Sequence, residues 1–272
     1  MPPSPPPSFQ NPGRYKMLIC IRRKPGLTRG EFQDYWLRHH GPLAASVNAR
    51  GLAPAMRGYV QNHTIDTDHM RAFREVRGMA VEPYDGVTEV WLDDPADLDM
   101  GDSLSDEIIA ANQMLIEDEA SFVDLEGSSV FITRDHNVFM TAPRGPFCKM
   151  IICDRRLATL SRQQFQDYWL HHHAPLASSV RERGLAPPML AYIQNHTVDT
   201  PLIGAFRVAR GMLDPGYDGL AEVWLKEMAD IGRVDRDDPA QRAADDRLLE
   251  DELKFVDFAG CSVFMAAPHR IF

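Results

Sequence analysis

The chain of 272 residues has no run of 18 apolar residues, so no stretch reads as a membrane-spanning helix. It opens without the basic, apolar and small-residue succession of a secretory leader. It also lacks a basic cluster. Its 29 Lys and Arg against 39 Asp and Glu give a net charge of −10, a poor match for nucleic acid or an anionic membrane. Cysteine is scarce: Cys20, Cys148, Cys153 and Cys261 show no C-x-x-C spacing and read as reduced, small hydrophobes of a cytoplasmic protein. There is no G-x-G-x-x-G, Walker loop or G-x-S-x-G, so nucleotide cofactors and serine hydrolysis have no support. No two histidines stand four apart. The consecutive His171, His172 and His173 diverge by about 100° each on a helix, so neither a metal nor another cofactor is expected.

What is present is a duplication. Phe32-Gln33-Asp34-Tyr35-Trp36-Leu37 returns as Phe165-Gln166-Asp167-Tyr168-Trp169-Leu170, an offset of 165 − 32 = 133. The offset holds without a gap from Lys16/Lys149 to Phe131/Phe264, with about half the positions identical. A composition 44% hydrophobic suffices for two cores. The chain divides into a Pro-rich tail (1–14), a first domain (15–136), a linker (137–147) with Pro143, Gly145 and Pro146, and a second domain (148–272).

Thr28-x-x-Glu31 and Ser161-x-x-Gln164 are capping boxes that open a helix in each domain. Helical spacing puts Phe32, Tyr35, Trp36, His39 and Leu43 on one face. Pro42 and Pro175 then force a kink, and Gly51 and Gly184 are placed as C-caps. Strands are expected at Lys16–Arg23, Met56–Thr64, Val87–Leu92 and Ser129–Thr133, with twins at Lys149–Arg156, Met189–Thr197 and Ser262–Met265. A second helix spans 103–123 and 236–256, while the stretch after the second strand reads as irregular. Each domain is therefore βαββαβ, a ferredoxin-like unit with one bare sheet face. The fold class expected is α+β, two tandem units whose sheets pack as an internal pseudo-dimer, with Ile19, Ile152, Val90 and Val223 buried on the sheets.

The helix F-x-x-Y-W-x-x-H-H-x-P-L-A, the strand Q-N-H-T and the Y-D-G-x-x-E-V-W-L turn and strand resemble the EthD family, of the dimeric α+β barrel superfamily. The resemblance covers roughly 15–136 and 148–267 and implies a pocket between helix and sheet in each half. For activity it implies a range: cofactor-independent cyclases, isomerases, dehydratases and decarboxylases of aromatic or polyketide-like molecules, quinone-forming monooxygenases, and haem proteins.

On residue chemistry, the catalytic candidates are Tyr35, His39 and His40 with Tyr168, His172 and His173. Histidine exchanges protons near neutral pH, and tyrosine can donate to an oxyanion. His39 leads because it shares the helix face of Tyr35. Trp36, Trp169, Tyr59 and Tyr192 are candidate walls, and Arg57 a candidate anion anchor. Asn62 and His63, like Asn195 and His196, alternate on a strand, so at most one of each pair faces the pocket; His63 and His196 share a face with the tyrosines. Glu89 and Glu222 read as partners of Arg22 and Arg155, or as pocket acids. Asp85 and Asp218 build turns. Asp106-Glu107 and Glu117-Asp118-Glu119 read as solvated helix faces. The function expected is a cofactor-free lyase or isomerase acting on a bulky phenolic or polyketide-like small molecule. The alternatives are an oxygen-dependent monooxygenase, a haem protein, or a non-catalytic aromatic-binding module. The chain is expected to act as a monomer with an internal pseudo-dimer.

Overall fold

The computed structural model describes residues 15–101, 104–233 and 237–272; the expected tail 1–14 lies outside the described residues. The first half runs β1 (Tyr15–Arg23), α1 (Arg29–Tyr35), a turn of π-helix (Trp36–His40), α2 (Gly41–Ala49), β2 (Gly58–Ile65), α3 (His69–Arg77), β3 (Gly86–Leu92), α4 (Asp106–Phe122) and β4 (Val123–Met140). The second half repeats it as β5 (Cys148–Asp154), α5 (Arg162–Tyr168), a π turn (Trp169–His173), α6 (Ala174–Glu182), β6 (Met189–Thr197), α7 (Leu202–Arg210), β7 (Gly219–Leu225), α8 (Pro239–Glu252) and β8 (Ser262–Arg270). The eight strands close into one antiparallel barrel in the order β1-β3-β2-β8-β5-β7-β6-β4. This is the expected α+β barrel of two ferredoxin-like units.

Closure depends on two long strands. Residues 123–134 of β4 pair with β1, and residues 133–140 run on to pair with β6 of the other half. β8 likewise pairs with β5 and then with β2. Residues 137–140, expected as linker, are therefore strand. Their backbone groups are satisfied by the opposite half, a partner that no local pattern reveals.

Strand alternation divides β1 between two interiors. Lys16, Leu18 and Cys20 point into the barrel, while Met17, Ile19 and Ile21 face the helices. Val90 and Val223 are buried as expected, but Ile19 and Ile152 are only half-buried, on the helix side. Repeat-related residues touch on the pseudo-two-fold axis: Cys20 Sγ lies 3.7 Å from Cys153 Sγ, and the Tyr84 and Tyr217 hydroxyls are 3.0 Å apart. At one end of the barrel Lys149 binds Glu89 and, at 2.8 Å, Glu222; Lys16 binds Glu222 at 2.8 Å and lies 3.8 Å from Asp135. Glu89 and Glu222 are thus partners of buried lysines, not of Arg22 and Arg155, because the lysines share their inward strand face while the arginines sit at the strand ends.

The capping boxes form as read: Glu31 N–H donates to Thr28 Oγ1 and Thr28 N–H to Glu31 Oε2, and Ser161 and Gln164 do the same. The kink takes a specific form. Gly41 N–H reaches back five residues to the Trp36 carbonyl, and Ala174 N–H to that of Trp169. In a regular helix, steps of four residues drift by about 40° each. The widened turn absorbs that drift, so Phe32, Trp36, His40 and Ala44 form the buried stripe. His39 is left outside.

The stretches read as irregular contain α3 and α7. Each ends at a left-handed glycine, Gly78 (φ 65°) and Gly211 (φ 68°), with Met79 N–H on the Arg74 carbonyl and Met212 N–H on that of Arg207. Nine residues each, these helices turn their apolar sides to the other half. α7 covers the first half's helix–sheet space, while Met70 and Phe73 of α3 pack in the core of the second with Phe165 and Trp169.

Candidate active site

α4 and the π turn meet at Asp118. Its Oδ1 accepts from the Tyr35 hydroxyl at 2.8 Å, and its Oδ2 lies 2.7 Å from His40 Nδ1. The second half repeats this with Tyr168 on Asp251 Oδ1 at 2.7 Å and His173 Nδ1 at 2.9 Å from Oδ2. Burial pushes the Asp118 carboxyl up, but the hydrogen bonds from His40 and Tyr35 outweigh it and hold the group below its usual range. The same balance holds for Asp251 with His173 and Tyr168. A carboxylate so held accepts, which places a hydrogen on His40 Nδ1; among the described residues Nε2 has no hydrogen-bond partner.

His40, 8% exposed, lines an apolar cavity of about 590 Å³ between the helices and the outer face of the sheet. Met17, Ile19, Tyr59, Val90 and Phe122 form its floor and walls, and Leu104, Ile108 and Ile109 lie towards α4's N-terminal end. α7 of the other half supplies the far wall with Phe206 and Arg210. Arg210 is bound to Glu119 by Nε at 2.6 Å and Nη2 at 3.2 Å, so its charge enters the cavity already paired. The Tyr59 hydroxyl accepts from Trp36 Nε1 at 3.0 Å and Gln61 Nε2 at 3.1 Å, and burial pushes its pKa up, keeping it a neutral phenol. Gln61 Nε2 also donates to the Trp36 carbonyl at 2.9 Å, which ties the second strand to the widened turn.

The other sequence candidates fall elsewhere. His39 and His172 are exposed and stack on Tyr35 and Tyr168 at 4.9 Å between ring centres. His63 and His196 stack on Trp36 and Trp169 and bond to Gln61 and Gln194 at 3.0 Å, outside the cavity lining; burial lowers both to about 3. Asn62 and Asn195 point into the barrel, donating to Glu89 at 2.8 Å and Glu222 at 3.0 Å. Trp169 and Tyr192 are buried twins of Trp36 and Tyr59, joined by the same bond at 2.9 Å. Arg57 is exposed and paired with Asp93 at 2.6 Å, far from an anchoring role.

Sequence reasoning dismissed Asp118 and Glu119 as solvated, and the structure corrects this. The missed signal was periodicity: Leu115, Asp118, Glu119 and Phe122 fall at i, i+3, i+4 and i+7, one helix face with apolar ends. A second cleft of about 600 Å³ opens beside Arg22, Arg23, Arg29 and Arg74. Arg23, Arg29 and Arg74 are paired with Asp85, Asp66 and Glu82, and Arg22 donates to the Glu82 and Pro83 carbonyls.

The EthD domain matches residues 24–126 and again 157–259. The chain belongs to the EthD family. Both EthD halves contribute one π turn and one Asp–His pair to the fold just described. Among solved structures, an anthrone oxidase-like protein aligns over 96% of this chain and 94% of its own, at 10% identity and a TM-score of 0.53. An ethyl tert-butyl ether d (EthD) family protein of Bacillus halodurans C-125 aligns over 44% of this chain and 95% of its own, at 14% identity and a TM-score of 0.29. Comparison with curated proteins gives no match. The first of these likenesses bears on the fold alone. Among the described residues, no helix is long and apolar enough to cross a membrane.

Proposed function

We propose that this EthD protein is a cofactor-free lyase or isomerase of the decarboxylase, dehydratase or cyclase type, working in the first-half cavity on a bulky, mostly apolar aromatic or polyketide-like molecule. The observation that carries the reading is His40: a histidine in the wall of an apolar cavity, its Nδ1 fastened to Asp118 and its Nε2 left to whatever enters. A base oriented by a carboxylate is the arrangement proton transfer needs, since the carboxylate fixes the tautomer and stabilises the imidazolium formed. Nε2 takes a proton from a carbon acid or phenol. It returns that proton to another atom of the same molecule in an isomerisation, or to the departing oxygen in a dehydration. The aromatic and methionine walls hold the rings by apolar burial.

Native mass spectrometry of protein taken gently from its host tests this first by identifying a carried small molecule. Turnover of that molecule is then measured for wild type, His40→Gln, Asp118→Asn and His39→Gln. The first two are expected to lose turnover and the third to keep it. A strongly polar bound molecule, or full turnover in His40→Gln with folding intact, would remove the reading.

A further inference from the structure

The first-half cavity is not closed by its own half. α7 lays Leu202, Phe206, Ala209 and Arg210 along it, the i, i+4, i+7, i+8 face of that helix. Arg210 is the charged member. Its side chain is 5% exposed, and its guanidinium carbon stands 3.7 Å over the centre of the Phe206 ring. Nε and Nη2 are taken by the two oxygens of Glu119, at 2.6 and 3.2 Å. A guanidinium carries its N–H donors in a rigid fork, so one edge is fixed on Glu119 and Nη1 is left over. Among the described residues Nη1 has no hydrogen-bond partner, yet it keeps accessible surface, unlike Arg74 Nε and Arg207 Nε, which are sealed without a partner. The twin arginine is set differently. Arg77 of α3 reaches a single oxygen of Glu252, by Nε at 2.9 Å and Nη2 at 2.7 Å, over the Phe73 ring. Phe258 also stands 5.8 Å from it, where the first half has Leu125 in the cavity lining.

We infer that Arg210, carried by the second half, binds the ligand's oxygen in the first-half site, its Nη1 donating to the keto oxygen of a ring-sized aromatic ketone. The inference rests on the function proposed for that cavity and names its substrate class. A guanidinium nitrogen can only donate, so the missing partner is an acceptor. A ligand carboxylate would bring a further negative charge beside Asp118 and Glu119, whereas a carbonyl brings none and gains a charge-assisted bond. The contact also suits proton transfer at His40. When Nε2 takes a proton from the carbon beside the carbonyl, the C–H electron pair becomes a C=C bond and the carbonyl π pair moves to oxygen. Nη1 then meets an enolate oxygen, and the guanidinium stabilises its charge without reorganising, because Phe206 and Glu119 already hold it. Asp118 and Glu119 are consecutive on α4, one fastening His40 and the other Arg210, so one turn of helix sets both groups.

Equilibrium dialysis of the full chain tests it with α-tetralone and with tetralin, the same ring pair without the oxygen. Arg210→Met combined with Glu119→Met removes the ion pair together and strands no carboxylate. It is expected to lower the ratio of ketone to tetralin affinity about tenfold, while tetralin itself binds unchanged or tighter. Arg210→Lys covers a failure of that variant to fold. Its ammonium still pairs with Glu119 but lacks the fork, and most of the ratio should be lost. Arg77→Met combined with Glu252→Met, the same change in the twin, should leave the ratio as in wild type. Binding is read without turnover, so His40→Gln should keep the ratio whatever becomes of catalysis. Full turnover in His40→Gln would remove the proposed reaction and leave this contact standing. The infrared carbonyl stretch of bound α-tetralone should lie lower in wild type than in hexane and return upwards in the Arg210 variants. An unchanged ratio in both Arg210 variants, an equal loss in the Arg77 variant, or a wild-type stretch as high as in hexane would overturn the inference.

Discussion

Tyr35 and His40 meet Asp118 at 2.8 and 2.7 Å in the first half, and Tyr168 and His173 meet Asp251 at 2.7 and 2.9 Å in the second. Around this shared arrangement the two halves part. Ile21, Thr88, Leu104, Ile108 and Ile109 of the first become Asp154, Ala221, Asp237, Gln241 and Arg242 of the second. The retained groups are those that hold one another: a carboxylate bridging a phenol and an imidazole cannot lose one member without leaving buried polar atoms unpaired. The changed groups of the first half line its cavity, whereas in the second Gln241 is tied to Leu185 and Asp245, and Arg242 to the Asp237 carbonyl. Duplication therefore kept the Tyr–Asp–His arrangement twice while the residues around it diverged.

The comparison breaks most sharply at the histidines. With the molecule carried by the first-half cavity as substrate, His40→Gln is expected to lower kcat about 10²–10⁴-fold, the span of a positioned acid or base. His173→Gln should leave that turnover nearly intact, because the twin sits under different walls. Steady-state kinetics on both variants and the double variant decides it. Equal losses from each single change would mean two equivalent pockets, and the wall differences would then carry no selectivity.

The next effect is on stability and separates Lys149 from Lys16. Lys149 joins Glu89 to Glu222, whereas Lys16 touches Glu222 and lies near Asp135, whose twin position is Pro268. Burial raises the Asp135 pKa against the pull of Lys16, so that acid can take a proton if Lys16 is lost. Lys149→Met strands Glu89 beside Asn62 alone and should cost about 3–5 kcal/mol in urea unfolding, as breaking a buried pair does. Lys16→Met should cost less, since Glu222 keeps Lys149. Equal costs would make the cluster symmetric despite Asp135.

Much of this was legible in the sequence and some was not, for definite reasons. The offset of 133, the capping boxes and the strand alternation gave the barrel and correctly split Asn62 from His63, because those signals are local. His40, not His39, faces inward because the helix is not ideal across Pro42. The proline sits beside a widened turn that keeps four-residue steps aligned. Glu89 was given the wrong partner, Arg22, because Lys149 arrives from the other half through barrel closure. Arg210 went unseen for the same reason: its helix covers a cavity that its own half does not contain.

A smaller effect concerns acid. His63 and His196 are held to about 3 by burial and then by neighbouring histidines, His269 for the first and His136 and His171 for the second. Unfolded, each titrates near 6.5. Between those values the unfolded chain binds the extra proton, so stability falls as pH drops below about 6.5, by up to about 1.4 kcal/mol per pH unit for each histidine, and is unaffected above it. Urea unfolding from pH 7 to 4 should show this slope, and His63→Gln or His196→Gln should flatten it by one histidine's share. A much larger flattening from His196→Gln would place the weaker seam where His171 replaces Arg38.

The smallest effect belongs to Arg57, the residue whose charge set the halves apart in the sequence, since its twin is Leu190. Its guanidinium is 53% exposed and held by Asp93 at 2.6 Å, itself 41% exposed. Such pairs contribute about 0–1 kcal/mol, screened by water and salt. Arg57→Leu, the second half's own residue, should therefore shift the urea midpoint little and leave the affinity of any first-half ligand within about twofold. Arg210→Met gives the contrast, because it removes the charge paired with Glu119 in the cavity wall and leaves that carboxylate facing the ligand. If Arg57→Leu changed affinity and Arg210→Met did not, the anion-handling group of the first half would lie on its surface. The difference between the halves would then be one of steering rather than of walls.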